Sequence, residues 1–245
     1  MSNIKKFYPE AKFGEFTDVD GTVAFFNRVN SLLKSSFIVL DVGCGRGAYG
    51  EDKILFRKNL RIIKGKVAKV IGIDIDKASQ KNPFLDEFYP IEGNAWSIEK
   101  NSIDLILCDY VIEHINNPDK FFAEIRRVLK NGGFLCVRTP NLWSYPALGA
   151  TLIPNRYHSP VTDFVQDSRK EEDVFPTVYK CNSVNKLKRS MKKVGFECVV
   201  YGYEAEPSYL SFSKVVFFLG VLHQRFAPKF FKTTLFAFGK IKKSS

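Results

Sequence analysis

The chain has 245 residues, 45% of them apolar, and a formal net charge of +11. That length suits one substantial core, and the apolar fraction excludes a disordered chain. The five cysteines (Cys44, Cys108, Cys136, Cys181, Cys198) include no CxxC pair and none at metal-ligand spacing, which argues against a disulfide framework and against a zinc site. The opening stretch MSNIKKFYPEAKFGEF lacks the apolar core of a signal peptide, and no apolar run reaches the length of a membrane span, so a soluble cytoplasmic protein is expected. Positive charge invites a nucleic-acid reading, but its placement weakens it. After Glu206 there is no acidic residue, while Lys214, Arg225, Lys229, Lys232, Lys240, Lys242 and Lys243 all follow. The excess belongs to the tail.

In chain order, short β-branched runs alternate with helical patterns, the signature of a parallel sheet covered on both faces. Strands are predicted over 37–42, carrying Asp41 at its end, and over 67–75, carrying Asp74. A weaker strand is expected near 89–92, and clear ones over 103–108 and 134–138. Between the last two runs a helix, with Asn117 as cap, Pro118 at its first position and a stripe of Phe121, Phe122, Ile125, Val128 and Leu129. The run Asn131-Gly132-Gly133 is expected to stop it. From 141 to 181 the pattern dissolves into Pro, polar and aromatic residues, among them Trp143, Tyr145, Tyr157, Phe164, Phe175 and Tyr179. So long a connection in a compact domain reads as an ordered lid. A helix capped by Asn182 or Ser183 follows, then a strand over 196–201, an aromatic, basic helix within 209–233, and a last strand over 234–241.

The stretch Ile38-Val39-Leu40-Asp41-Val42-Gly43-Cys44-Gly45-Arg46-Gly47 carries the chemistry. Glycines after a buried strand let backbone approach a ligand, with an electropositive helix start expected next. On spacing alone, Gly43, Gly45 and Ala48 also fit a dinucleotide fingerprint. Asp41 favours a different ligand: a pyrophosphate would be repelled there, whereas the ammonium and sulfonium of S-adenosylmethionine welcome an anion. Asp74, ending VIGID, suits a ribose diol, and Asp76 is the better helix cap.

These residues resemble motif I of class I S-adenosylmethionine-dependent methyltransferases, and Val70 to Asp74 resembles motif II. Glu92-Gly93-Asn94-Ala95 is similar to motif III, with Asn94 in place of the usual aspartate. The run from Ser102 to Ile115, with Asp109-Tyr110-Val111-Ile112-Glu113-His114, resembles motif IV of the type-11 (ubiquinone/menaquinone-biosynthesis methyltransferase-like) group, and Arg127 to Gly133 its following segment. The likeness is strong over about residues 36–140 and loose beyond. It implies a Rossmann-like, seven-stranded, mostly parallel sheet with helices on both faces and an inserted lid. It implies one domain over 1–245, with a cofactor-binding core over 36–140, an acceptor-side lid over 141–181 and a helical insertion over 209–233. It places Asp41, Gly43 and Gly45 at the amino-acid end of the cofactor, Asp74 and Ile75 at the ribose, Asn94 and Ala95 at the adenine, and Asp109 and Tyr110 on the methionine side.

Methyl transfer from a sulfonium is an in-line displacement in which the protein mainly aligns donor and acceptor. Where the acceptor must lose a proton a base helps, and His114 and His158 are the candidates, each with a purely structural reading beside it. His223, in an apolar stretch, reads as a packing or surface residue. Tyr145 and Tyr157 are candidates for the acceptor pocket. The expected acceptor is a small molecule, a glycan or a lipid-linked group. The alternatives are RNA or another nucleic acid, disfavoured because Cys108-Asp109-Tyr110-Val111 lacks an Asn/Asp-Pro-Pro-Tyr arrangement, and an NAD-binding Rossmann protein. The basic apolar segment before the last strand suits either packing on the body or peripheral contact with an anionic membrane.

Overall fold

Branched apolar runs pack best when covered on both sides, and two of them, β1 (Ile38–Val42) and β4 (Ile103–Asp109), pair in parallel at the centre of one sheet. The computed structural model describes residues 3–93, 95–145 and 177–242. Five further strands complete the sheet: β2 (Lys69–Asp74), β3 (Glu87–Pro90), β5 (Leu129–Pro140), β6 (Phe196–Tyr203) and β7 (Thr234–Ile241). The order is β3-β2-β1-β4-β5-β7-β6, and only β7 runs antiparallel to its neighbours. This is the seven-stranded, mostly parallel sheet expected. The order reverses between β1 and β4, so a crevice opens at the carboxyl ends of those two strands.

Helices cover both faces. On one, α2 (Gly21–Leu32) presents Phe25, Phe26 and Val29 to Val39, Leu105, Leu107, Cys136 and Phe236, beside α3 (Leu55–Arg61). On the other, α4 (Pro118–Val128) and α5 (Val184–Lys193) press Phe122, Ile125, Val128, Leu187 and Met191 against Leu40, Ile106 and Val137. Each such buried side chain is worth about 1.5–3 kcal/mol. The caps are local chemistry. Asn117 Oδ1 accepts from the Lys120 amide at 3.1 Å, with Pro118 at the first helical position, and Ser183 caps α5. Two further helices, the short α1 (Asn3–Phe7) and the longer α6 (Lys214–Phe226), pack on each other outside the sheet.

The structure corrects four local expectations. Asn131-Gly132-Gly133 does not follow a helix end but lies inside β5. The helix stops at Val128 because Leu129 already pairs with Ile103, and a register irregularity before the Leu105–Phe134 pair absorbs the glycines. The weak strand runs over Glu87–Pro90 rather than 89–92, since its pairing with β2 starts at Ile71↔Glu87. No α-helix follows the glycine turn directly: Ala48–Glu51 is a single 3-10 turn and α3 begins only at Leu55. Finally, α2 had no sequence expectation, although Asp20 caps it by accepting from the Thr22 and Val23 amides at 2.8 and 2.9 Å.

Candidate cofactor site and acceptor side

Side chains alternate across a strand, and that alternation assembles the site. Val39 and Asp41 share one face of β1, Val70 and Asp74 one face of β2, Leu107 and Asp109 one face of β4, and Cys136 and Arg138 one face of β5, all on the side covered by α2 and α3. Each apolar ladder thus ends in a charge at the carboxyl edge of the sheet. Three carboxylates and one guanidinium converge there, and α3 adds Arg61.

Their partners differ. Asp109 is taken up by Arg138 in a bidentate pair, with Nε donating to Oδ1 at 2.6 Å and Nη2 to Oδ2 at 2.7 Å, and Arg61 stands 3.6 Å away. Arg138 is 5% exposed, lies over the rings of Phe25, Phe26 and Tyr110, and donates to Thr22 Oγ1. Burial works to neutralise its guanidinium, but Asp109 more than reverses that and holds it charged. Asp74 accepts the Gly45 amide at 2.9 Å and the Asp76 amide at 2.9 Å, one on each oxygen, leaving a lone pair on each. Asp76, as expected, caps the next turn by accepting from the Ala78 amide.

Asp41 is the exception. Among the described residues nothing donates a hydrogen bond to its carboxylate. Its pKa is pushed up to about 7, first by burial and then by the neighbouring charge of Asp109, with Asp74 adding and Arg61 opposing. Arg61 lies over the Tyr49 ring at 4.8 Å, and its Nε is buried without a partner. The carboxylate therefore waits for a cation that the protein does not fully supply.

The glycine turn is open towards this charge. Gly43 and Gly45 both have positive φ, +66° and +55°, where a side chain is strained. A Cβ at Gly43 would strike Val111 at 2.6 Å, whereas at Gly45 it would meet nothing within 4 Å. Asn82 braces the turn from behind, donating to the Cys44 and Gly45 carbonyls. A ligand ammonium group fits this arrangement: an unpaired carboxylate, an open backbone cradle and, beside it, the Asp74 acceptors for a diol. Ile75 leaves β2 with 59% of its surface exposed, available to a ring stacked beyond Asp74. Tyr110, also at positive φ, stands at the end of β4 with its amide bonded to the Arg138 carbonyl. Ala95 is exposed in a bridge with Glu92, and Asn94 lies outside the described residues.

On the acceptor side, His114 follows Tyr110 in a 3-10 turn, its Nε2 4.0 Å from Glu113 Oε1. Glu113 is buried, with its carboxyl pushed upward by burial. Its other oxygen accepts from Thr139 Oγ1 at 2.9 Å. The Thr139 hydroxyl in turn accepts from Asn182 Nδ2, and the Glu113 carbonyl accepts the Val178 and Tyr179 amides. Asn141 Nδ2 donates to the Phe230 and Lys232 carbonyls, and the Leu142 amide to the Asn182 carbonyl. Both ends of the segment between 145 and 177 are thus anchored side by side at the carboxyl edge. Tyr157 and His158 lie outside the described residues. Tyr145 stacks on Tyr209 and meets His223 edge-on, and His223 Nδ1 lies 3.7 Å from Glu204, a buried carboxyl pushed up to about 7. His223, expected to be a packing or surface residue, packs edge-on against Tyr145 in this cluster.

Sequence reading missed Arg138, Arg61, Tyr49 and Asn82. Arg138 carried a signal: FLCVR and LILCD are adjacent apolar strands ending in opposite charges. Arg61 and Asn82 carried none, because helix and loop residues reach the turn only through tertiary contact.

Residues 19–201 match the family model described as a methyltransferase domain. A Mycolicibacterium smegmatis protein named a probable S-adenosylmethionine-dependent methyltransferase is 34% identical over 110 residues, 42% of this chain and 38% of that protein. A ubiquinone/menaquinone biosynthesis C-methyltransferase of Campylobacter jejuni is 31% identical over 115 residues, 45% of this chain and 48% of that one. The chain spans about two-fifths to three-fifths of the length of such curated relatives. In fold it is similar to a S-adenosylmethionine-dependent methyltransferase of Thermotoga maritima, with TM-score 0.56, 15% identity, and 98% and 96% of the two chains covered. Among the described residues no helix is long and apolar enough to cross a membrane, and no His, Cys, Asp and Glu cluster could hold a metal ion.

Proposed function

The chain belongs to the methyltransferase domain family, and from that premise we propose that it is an S-adenosylmethionine-dependent methyltransferase that methylates a small-molecule, glycan or lipid-linked acceptor at the carboxyl edge of its sheet. Membership sets aside the dinucleotide reading of the same glycines. The observation that carries the reading is the unpaired Asp41 carboxylate beside the open Gly45 backbone and the doubly anchored Asp74.

In this reading the bound cofactor supplies an electrophilic methyl group on a sulfonium. Asp41 attracts the ammonium end, and Gly43 and Gly45 let the chain approach it without side-chain obstruction. Asp74 accepts from the ribose hydroxyls on the lone pairs that Gly45 and Asp76 leave free, with Ile75, Asn94 and Ala95 along the adenine. Asp109 acts through Arg138: the pair keeps the end of β4 rigid and presents Tyr110 beside the methionine side. His114 and His158 are the groups proposed to take a proton from a hydroxyl or acidic-carbon acceptor. Tyr145 and Tyr157 are the proposed acceptor-side aromatics. Nothing among the described residues of the crevice favours a nucleic acid.

Binding of the demethylated product, S-adenosylhomocysteine, tests the cofactor assignment without knowledge of the acceptor. A ligand at a hundred times its Kd stabilises by about 2.7 kcal/mol. A rise in Tm with this product and none with NAD is expected; the opposite pattern overturns the reading. Incubation of cell fractions with cofactor labelled on the methyl group then identifies the acceptor class.

A further inference from the structure

Helix α6 is apolar on two faces. Its inner face, Phe217, Gly220 and Val221, is buried, with Phe217 stacked among Phe7 and Tyr8 at 5.4 and 6.5 Å. Its outer face presents Val215, Phe218, Leu219, Leu222 and Phe226, a stripe at helical spacing left largely exposed, with only the Phe7 ring tilted against Phe218 at 6.0 Å. Val215 is 69% exposed and Phe226 77%. Phe230, in the turn that follows, extends the patch. A contiguous apolar stripe of this kind on a protein surface marks an interaction site.

Charge decides the partner. Residues 207–245 contain no Asp or Glu, and Lys214 and Arg225, on the same helix, flank the stripe. From α1, Lys6 meets Lys214, and that contact is what lowers the Lys6 pKa. Like charges gathered beside exposed apolar side chains favour an anionic partner. A second copy of this chain would set like charges against each other across the joint. A nucleic acid would satisfy the lysines and leave the aliphatic stripe in water. A bilayer with anionic headgroups satisfies both at once.

Position adds to this. α6 connects the end of β6 to the start of β7, where Tyr203 pairs with Thr234 and Thr234 with Pro140 at the carboxyl end of β5. The stripe therefore stands at the same edge of the sheet as Asp41, Asp109 and Tyr110.

We propose that the outer face of α6 docks the protein peripherally on an anionic membrane surface, so that the open edge of the cofactor crevice faces the bilayer. Its bearing on the acceptor rests on the lipid-linked branch of the proposed function; the docking itself does not.

Co-sedimentation with phosphatidylcholine vesicles, with and without about one-third phosphatidylglycerol, tests it. The full chain is expected to bind the anionic vesicles in moderate salt and to leave pure phosphatidylcholine. The pair Phe218→Ser and Phe226→Ser, and separately the pair Lys214→Glu and Arg225→Glu, should each weaken partitioning by about tenfold or more. Both variants should keep the wild-type unfolding transition and S-adenosylhomocysteine affinity, since neither pair touches the crevice. Three results overturn the proposal: no binding of wild type to anionic vesicles; wild-type partitioning by the phenylalanine variant; or a dimer in sedimentation equilibrium that the phenylalanine variant dissolves. Absent S-adenosylhomocysteine binding alongside intact vesicle binding would overturn the proposed function and leave the docking standing.

Discussion

The two ends of the chain use their exposed or unpaired groups in opposite ways. In the half built from β1, β2 and β4, polar residues sit at strand ends: backbone amides hold Asp74, Arg138 holds Asp109, and Asp41 stands beside them without a donor. In the half after Pro140, the distinctive feature is a surface: an apolar helix face, a basic rim and aromatic residues around Glu204. A small charged ligand needs few groups in fixed places, and such groups leave a motif. A surface that meets a bulky or variable partner needs only composition and exposure, and it leaves no motif.

The contrast can be broken by mutation, and the largest effect falls on the rigid half. Arg138→Ala strands Asp109 in a buried setting and is expected to destabilise by about 3–5 kcal/mol in urea unfolding. Arg138→Met should lose less, because the stem still packs between Phe25 and Tyr110. Equal, small losses from both would mean the pair is not buried as described. Next, Asp74→Ala is expected to weaken S-adenosylhomocysteine binding by about 1.5–3 kcal/mol, the worth of hydrogen bonds to a charged group, with cooperative unfolding retained.

Asp41 sharpens the comparison through pH. Its folded pKa, about 7, lies above the ordinary value of 3.8, so its ionisation costs stability. That stability is fully present below pH 4 and is lost as pH rises towards and through 7. Asp41→Asn should therefore raise the Tm relative to wild type at pH 8, and the difference should vanish near pH 4. The same change should abolish the gain in cofactor affinity expected of wild type between pH 6 and 8. A variant less stable than wild type at pH 8 would contradict the unpaired carboxylate. The smallest effect belongs to the other half: Phe226→Ser should alter stability by less than about 0.5 kcal/mol, because the ring is exposed already.

Much of the first half was legible because nearly continuous apolar, buried runs and a terminal acid coincide there. VLDVG and VIGID announce strand, edge and acid together, and Asn117-Pro118 announces a helix start. The bulge at 131–133 was not legible, since glycines stop a helix or relax a strand equally well until the partner strand is known. Nor was the 3-10 turn after Gly47: only the Asn82 contacts with the turn show how it is braced without a following helix. Arg61 could not be placed from sequence, because its contact with Tyr49 and Asp109 depends on where α3 packs. In the second half the stripe from Val215 to Phe226 was visible as apolar and basic. Which face is buried depended on α1, whose Phe7 and Tyr8 lie some 200 residues away in the chain.

The central claim is that Asp41, Asp74 and the open glycine turn form one cofactor site. Calorimetric titration of S-adenosylhomocysteine into wild type and Asp41→Asn, each at pH 6 and pH 8, tests it most directly. One site is expected in wild type, tighter at pH 8 and releasing a proton on binding at pH 6, where Asp41 is still mostly protonated, with weaker, pH-insensitive binding in the variant. Equal affinity of the two proteins at both pH values would contradict it.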